Sequence, residues 1–426
     1  KRKDKNKEQG EEEHIIYSWK QLIEEGKNAI ALGDRQFIDA EVLGTDPAVI
    51  LYTSGTTGFA KGVVLTHRNI VDDLMMAPTL LKVYPEDIFF SVLPVHHTYE
   101  CTCAFLMPLY KGASIAFCEG LKYITKNLQE IRPTMLLGVP VLIETLYKKI
   151  WKTAKSEGKD KKLEKLMKLN KKTKKLNINI AKKLAKDILD VFGGRMRVLI
   201  SGGAAIDPKI LQFFNDLGII AVQGYGLTEC SPMTALNPDV EKDMKNESVG
   251  HLLPGMKVKI VDADEEGIGE ICFKGPNVML GYYNNQEATD EVLKDGWFHT
   301  GDLGRVDTDS FIYITGRKKN VIITENGKNV FPEELEYELS HIPYIAESMV
   351  WGDNEGDGVN STTIAATVTL DDDEVKEVLG EEYTDEQAQN LVWGEIDKIN
   401  ERLPLFKKIK KLNIRKTDFN KTTGMK

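Results

Sequence analysis

No run of apolar residues in this 426-residue chain approaches the roughly 20 needed to cross a bilayer. No secretory leader is visible, but the first residues are charged and lack a Met, so the true N-terminus is expected to be absent from this sequence. Cysteine is scarce: Cys101, Cys103, Cys118, Cys230 and Cys272 are an odd, scattered set. Such a set excludes a disulfide scaffold and points to reduced thiols in a cytoplasm. Cys101 and Cys103 have no second Cys/His pair at zinc spacing, so both are expected in the core or a pocket. An excess of basic charge is missing too. The formal net charge of −9 argues against general nucleic-acid affinity. Internal repeats and coiled-coil heptads are absent. What remains, 42% hydrophobic and 28% charged residues, describes a soluble globular protein long enough for two or more domains.

The chain is organised around Leu51 to His67. Apolar Ala48 to Leu51 predicts a strand entering this stretch, and Val63 to Leu65 a strand leaving it. Between them lie Thr53, Ser54, Gly55, Thr56, Thr57, Gly58 and Lys61. Glycines let backbone N–H groups turn toward an anion, and the hydroxyls and the lysine add donors, so the loop is suited to phosphates. It is not the common nucleotide P-loop, which needs four residues between its glycines and a Lys directly after the second.

Downstream, Ile88 to Leu93, Ala113 to Phe117, Met135 to Val139, Arg197 to Ile200 and Ile219 to Val222 read as strands. Helical patterns separate them, such as Pro208 to Leu217. This alternation predicts a mostly parallel sheet with ligand sites at the strand ends. Lys257 to Val261 and Glu270 to Phe273 read as a hairpin. Ahead of the loop, Ile15, Trp19, Leu22 and Ile23 fall at helical spacing. Lys148 to Lys186 carries sixteen Lys against three acidic residues, with Leu163, Leu166 and Met167 at helical spacing. It reads either as a solvated helical insertion or as a basic face for a peripheral contact with anionic lipid.

Further motifs follow strands. Gln223-Gly224-Tyr225-Gly226-Leu227-Thr228-Glu229 offers free backbone, a ring, a hydroxyl and a hard oxygen ligand suited to Mg²⁺. In Trp297-Phe298-His299-Thr300-Gly301-Asp302, the carboxylate can accept from two vicinal ribose hydroxyls. Ser201-Gly202-Gly203-Ala204-Ala205 permits close approach of a ligand. In Thr315-Gly316-Arg317-Lys318-Lys319-Asn320, Arg317 supplies a fixed fork of donors. The chain ends on Asn420-Lys421-Thr422-Thr423-Gly424-Met425-Lys426.

Together these words resemble the adenylate-forming superfamily, which includes acyl-CoA synthetases, firefly luciferase and peptide-synthetase adenylation domains. The resemblance runs from Asp46 to Lys426. It implies an α/β fold: a large adenylation domain (1–316, with a β subdomain at about 246–316) and a small mobile C-terminal lid (317–426). Against the family's length, the first part of the large domain is expected to be missing. The resemblance implies ATP, Mg²⁺ and CoA as cofactor and substrates. It implies phosphates at Thr53 to Gly58 and Lys61, and adenine at Tyr225 within Gln223 to Gly226 and near Gly203 and Ala204. The α-phosphate falls to Thr228, Mg²⁺ to Glu229, and the ribose to Asp302 and Arg317. The lid hinge is placed at Lys319, a CoA-passage turn at Gly327, and the lysine of the first half-reaction at Lys426. The ending departs from the family pattern, with Asn420 in place of Pro and Gly424 one position early.

Leu93-Pro94-Val95-His96-His97-Thr98-Tyr99-Glu100 matches the segment that lines or gates the family's acyl pocket, with His97 as the family histidine. It carries no Asp to pair with a substrate ammonium, which disfavours an α-amino acid. The wording resembles bacterial long-chain acyl-CoA synthetases. Aryl or medium-chain acids, a carrier-protein acceptor and an inactive nucleotide-binding scaffold stand as alternatives.

Overall fold

The computed structural model describes residues 17–53, 60–173, 190–324, 328–353 and 362–419. Residues up to Asp46 form one compact unit and Pro47 onward a second. The first holds a helix, Trp19–Ala31, started by a capping box: Ser18 accepts from the Gln21 N–H, and the Gln21 side chain accepts from the Ser18 N–H.

In the second unit, β1 (Pro47–Thr53) and β2 (Lys61–Thr66) pair antiparallel, with Thr53 opposite Lys61. The parallel sheet follows: β3 (Ile88–Ser91), β4 (Ser114–Phe117), β5 (Met135–Gly138), β6 (Val198–Ser201) and β7 (Ile220–Gly226), in the order β4-β3-β5-β6-β7. In β5 and β6 the short apolar runs reflect burial on both faces. Phe89, Met135, Leu137, Val198 and Ile200 point into one core, while alternate residues Phe90, Leu136 and Leu199 point into another.

An antiparallel half continues from β7 through β8 (Met233–Leu236), β9 (Gly250–Leu252), β10 (Lys257–Val261), β11 (Gly269–Lys274), β12 (Gly281–Tyr282), β13 (Leu293–Lys294), β14 (Trp297–Val306) and β15 (Phe311–Arg317). The order outward from β7 is β8-β9-β15-β14-β11-β10, with β13 paired to β14 and β12 added to β2 instead. Strand β7 belongs to both halves. Val198 to Ser201 pair with Ile220 to Gln223 in parallel, whereas Gly224, Tyr225 and Gly226 pair antiparallel with β8. The expected hairpin of Lys257 to Val261 with Glu270 to Phe273 is present as β10 and β11.

Beyond Arg317 come a short hairpin, β16 (Ile322–Ile323) with β17 (Asn329–Val330), and the sheet β18 (Ile345–Asp353), β19 (Thr363–Leu370) and β20 (Lys411–Arg415). Helices Pro332–Leu339 and Asp385–Arg402 pack on it around Val330, Leu335, Val392 and Ile396. Tyr337 and His341 both meet the carboxylate of Asp207, at 3.2 and 2.9 Å, and Asp207 also caps the helix Pro208–Asp216. Among the described residues, no helix is long and apolar enough to cross a membrane.

Candidate active site

The switch of partners along β7 puts its second half where a site can form. The sequence places Gln223 to Gly226 after a strand; here they lie within it, because β8 picks up the strand where β6 ends. Gly226 is required by the close approach of the return chain, since a Cβ there would sit 2.0 Å from the Pro232 carbonyl oxygen. Gln223 is buried and its amide donates to the Asn246 carbonyl at 2.7 Å, so its polar end is already engaged.

A small pocket is lined by His97, Gly203, Gly224, Tyr225, Gly226 and Thr228. Residues from three separate sequence stretches therefore converge. Ala204 stands next to Gly203 but is exposed and outside the lining. Thr98 and Ser201 also line the pocket, and their buried hydroxyl oxygens find no hydrogen-bond partner among the described residues. They are polar atoms lacking the partner that burial normally demands.

His97 lies two residues before a π-helix, Tyr99–Leu106, which helical or strand periodicity does not predict. Tyr99 from this turn donates its hydroxyl to the Ile200 carbonyl at 3.1 Å, and a Cβ on Gly202 would lie 2.9 Å from its ring. That contact accounts for the glycine. The backbone N–H of Tyr99 donates to His97 Nδ1 at 3.2 Å, which assigns the imidazole proton to Nε2. Glu100 is fully buried and accepts from the Ser91 hydroxyl at 2.5 Å. Burial outweighs that hydrogen bond and pushes its carboxyl up to about 7.

Tyr225 gives its hydroxyl to Asp302 Oδ2, and Arg317 Nε lies 2.6 Å from Asp302 Oδ1. Three motifs thus meet at one carboxylate, which is buried. Burial, reinforced by the Asp302 charge, holds the Tyr225 phenol well above its ordinary range. Lys319 follows in the turn Lys318–Asn320; partial burial and the Arg317 charge hold its ammonium below the usual lysine range.

Glu229 lies on the turn Thr228–Cys230. Its Oε1 accepts the hydroxyl of Tyr282 at 2.8 Å, so Oε2 has no donor among the described residues. The Tyr282 ring lies beneath Lys61 Nζ, 5.0 Å from its centroid. A carboxylate with one oxygen tied and one available, beside the ammonium of Lys61, fits a hard divalent cation. Tyr282 is the main residue that motif reasoning missed. It sits on the two-residue strand β12, where neither length nor period gives a signal.

Ser54, Gly55, Thr56, Thr57, Gly58, Gly327 and Lys426 lie outside the described residues. In the lysine-rich stretch, Leu163 is buried in the protein core and Met167 packs against that core, so neither is offered to lipid. The side chain of Leu166 and residues 174–189 lie outside the described set.

Three comparisons bear on this geometry. The AMP-binding enzyme family matches residues 1–283. Long-chain-fatty-acid–CoA ligase FadD15 of Mycobacterium bovis is 32% identical over 349 residues, covering 78% of this chain and 56% of that protein. Peroxisomal long chain acyl-CoA synthetase 7 of Arabidopsis thaliana is 30% identical over 418 residues, covering 92% and 58% respectively. The chain therefore spans little more than half the length of these relatives. The crystal structure of ATP-bound MatB from Rhodopseudomonas palustris superposes with a TM-score of 0.69 at 28% identity, over 94% of this chain and 70% of that one. With the family matched across two thirds of the chain, this protein belongs to the AMP-binding enzymes, the adenylate-forming superfamily.

Proposed function

We propose that the protein is an AMP-forming acyl-CoA synthetase that activates a long-chain fatty acid with ATP and passes the acyl group to CoA. One observation carries the long-chain reading. The pocket of His97, Tyr225 and Thr228 shares Ile200 and Met233 with a small apolar cavity in the core. Residues such as Phe89, Cys103, Met107 and Leu137 line that cavity, and no charged side chain does. A carboxylate held among the polar groups can point an alkyl chain into apolar surroundings, where each buried CH₂ is worth about 0.8 kcal/mol. The names of FadD15 and of acyl-CoA synthetase 7 support the same class.

In the first step a carboxylate oxygen attacks the α-phosphorus of ATP, and the bond to pyrophosphate breaks. In the second the CoA sulfur attacks the acyl carbon and AMP leaves with the bonding pair. Thr53 to Gly58 and Lys61 hold phosphates, Tyr225 faces adenine, and Asp302 with Arg317 reads the ribose. Thr228 donates to the α-phosphate, while the hydroxyls of Thr98 and Ser201 and the Nε2–H of His97 are donors for the carboxylate. Glu229 is the ligand for Mg²⁺, which when bound offsets negative charge on the phosphates. Residues 317–426 act as the lid: they turn at Lys319, present Lys426 in the first step, and present the Gly327 turn in the second.

The test is ATP–pyrophosphate exchange on the full protein across a panel of acids. Exchange strongest with long-chain fatty acids is expected. Exchange confined to aryl or short acids would remove the long-chain reading, and none with any acid would favour a nucleotide-binding scaffold.

A further inference from the structure

Away from the pocket, β11 and β14 bring three different donor groups together. Cys272 and His299 are directly opposed across the two strands, and Glu270 stands two residues before Cys272, on the same face. His299 Nδ1 lies 3.3 Å from Cys272 Sγ and 3.3 Å from Glu270 Oε2. All three ligating atoms fall within 4.8 Å of one another. Cys272 is fully buried, and the side chains of His299 and Glu270 are only 16% and 11% exposed. Among the described residues this is the one group of three or more His, Cys, Asp and Glu side chains so arranged.

The spacing is informative. Bonds of about 2.3 Å to sulfur and about 2.0–2.2 Å to nitrogen and oxygen, at tetrahedral angles, set ligand atoms about 3.3–3.6 Å apart. The two His299 separations are close to edges of that tetrahedron. We propose that Glu270, Cys272 and His299 form a binding site for a thiophilic divalent cation of the zinc class, with water as the fourth ligand. Sulfur and imidazole donors select against Mg²⁺, so the site differs in chemistry from Glu229. On binding, the Cys272 thiol gives its proton to solvent, and thiolate and carboxylate together balance the ion's two charges.

The place is already used by a cation. Lys318 Nζ lies 3.0 Å from Glu270 Oε2, the same oxygen that faces His299. A metal ion must displace this ammonium. Lys318 follows Arg317, which holds Asp302, and precedes Lys319. Metal occupancy therefore releases the Lys318 side chain from β11, while Arg317 keeps its place opposite Asp302. The metal-binding inference does not depend on the identity of the substrate.

The experiment titrates the metal-free full protein with Zn²⁺ against a chromophoric chelator, and separately with Co²⁺. One equivalent bound is expected, with a thiolate-to-cobalt charge-transfer band in the near ultraviolet. Cys272→Ser and His299→Asn should each lose that band and weaken Zn²⁺ binding by about 100-fold or more. Lys318→Met keeps all three ligands and removes the competing ammonium, so it should bind Zn²⁺ more tightly; a purely structural cluster would not respond this way. Absence of the cobalt band in the wild type would overturn the proposal. So would binding unchanged in folded Cys272→Ser and His299→Asn proteins. Should those two variants not fold, unchanged or weaker affinity in Lys318→Met would overturn it instead.

Discussion

The hydroxyl of Tyr282 donates to Glu229 Oε1 across 2.8 Å while its ring carries Lys61 Nζ 5.0 Å above its centroid. One side chain thus orients both the carboxylate assigned to Mg²⁺ and the lysine assigned to phosphate. Tyr282→Phe keeps the ring and removes only the hydroxyl. It should raise the Mg²⁺ concentration needed for half-maximal pyrophosphate exchange several-fold, with a smaller change in rate at saturating Mg²⁺. Glu229→Gln should shift the same curve further. A Tyr282→Phe enzyme with the wild-type Mg²⁺ curve would show that the hydrogen bond does not position the ligand.

Asp302 ties Tyr225 to Arg317, so its removal tests two assignments at once. Asp302→Asn should weaken ATP binding by about 10- to 100-fold, the range expected when a charge-assisted contact of roughly 1.5–3 kcal/mol is lost. Calorimetric titration with ATP measures it. Unchanged affinity together with a lowered melting temperature would make Asp302 a structural tie rather than a ribose acceptor.

Glu100 predicts a pH signature. Burial raises its carboxyl to about 7 in the folded protein, so the folded state holds this proton more tightly than the unfolded chain. The associated stability is fully present below the unfolded value and is lost as pH rises through about 7. Relative to Glu100→Gln, the wild type should lose roughly 1–3 kcal/mol between about pH 5 and about pH 8. Urea midpoints of both proteins at the two pH values read this directly. Parallel midpoints would mean that Glu100 is solvated in the native state.

Lys426 is assigned from its motif alone. Lys426→Ala should abolish adenylate formation yet leave thioester formation from supplied acyl-AMP largely intact. Equal loss in both half-reactions would count against its role in one lid position.

Strands such as Met135–Gly138 were legible as unbroken apolar runs, since burial on both faces leaves no alternation to misread. His97, Gly203, Tyr225 and Thr228 were legible as words, and the fold brings them to one pocket. Pairing register was not legible, and it hid both the change of partners at Gly224 and the opposition of Cys272 to His299. Tyr282 was hidden for the same reason: 53 positions separate it from Glu229, and the docking of β12 on β2, with the Met279 N–H on the Glu229 carbonyl, joins them. The π-helix at Tyr99–Leu106 follows neither of the periods by which helices and strands are read. Helical spacing identified Leu163 as apolar but could not say whether protein or lipid covers it; a buried position in the core answers that.

Because β7 is stitched to β6 by its first half and to β8 by its second, the parallel and antiparallel halves have no seam along which one can melt alone. Loosening either half strips hydrogen bonds from the strand that the other half needs. The amides of Ala221 to Tyr225 should accordingly exchange only through the largest openings, and heating should take both halves through a single transition. A substitution that frays β8 or β9, far from any substrate atom, then reaches the pocket through the backbone of Gly224 and Tyr225.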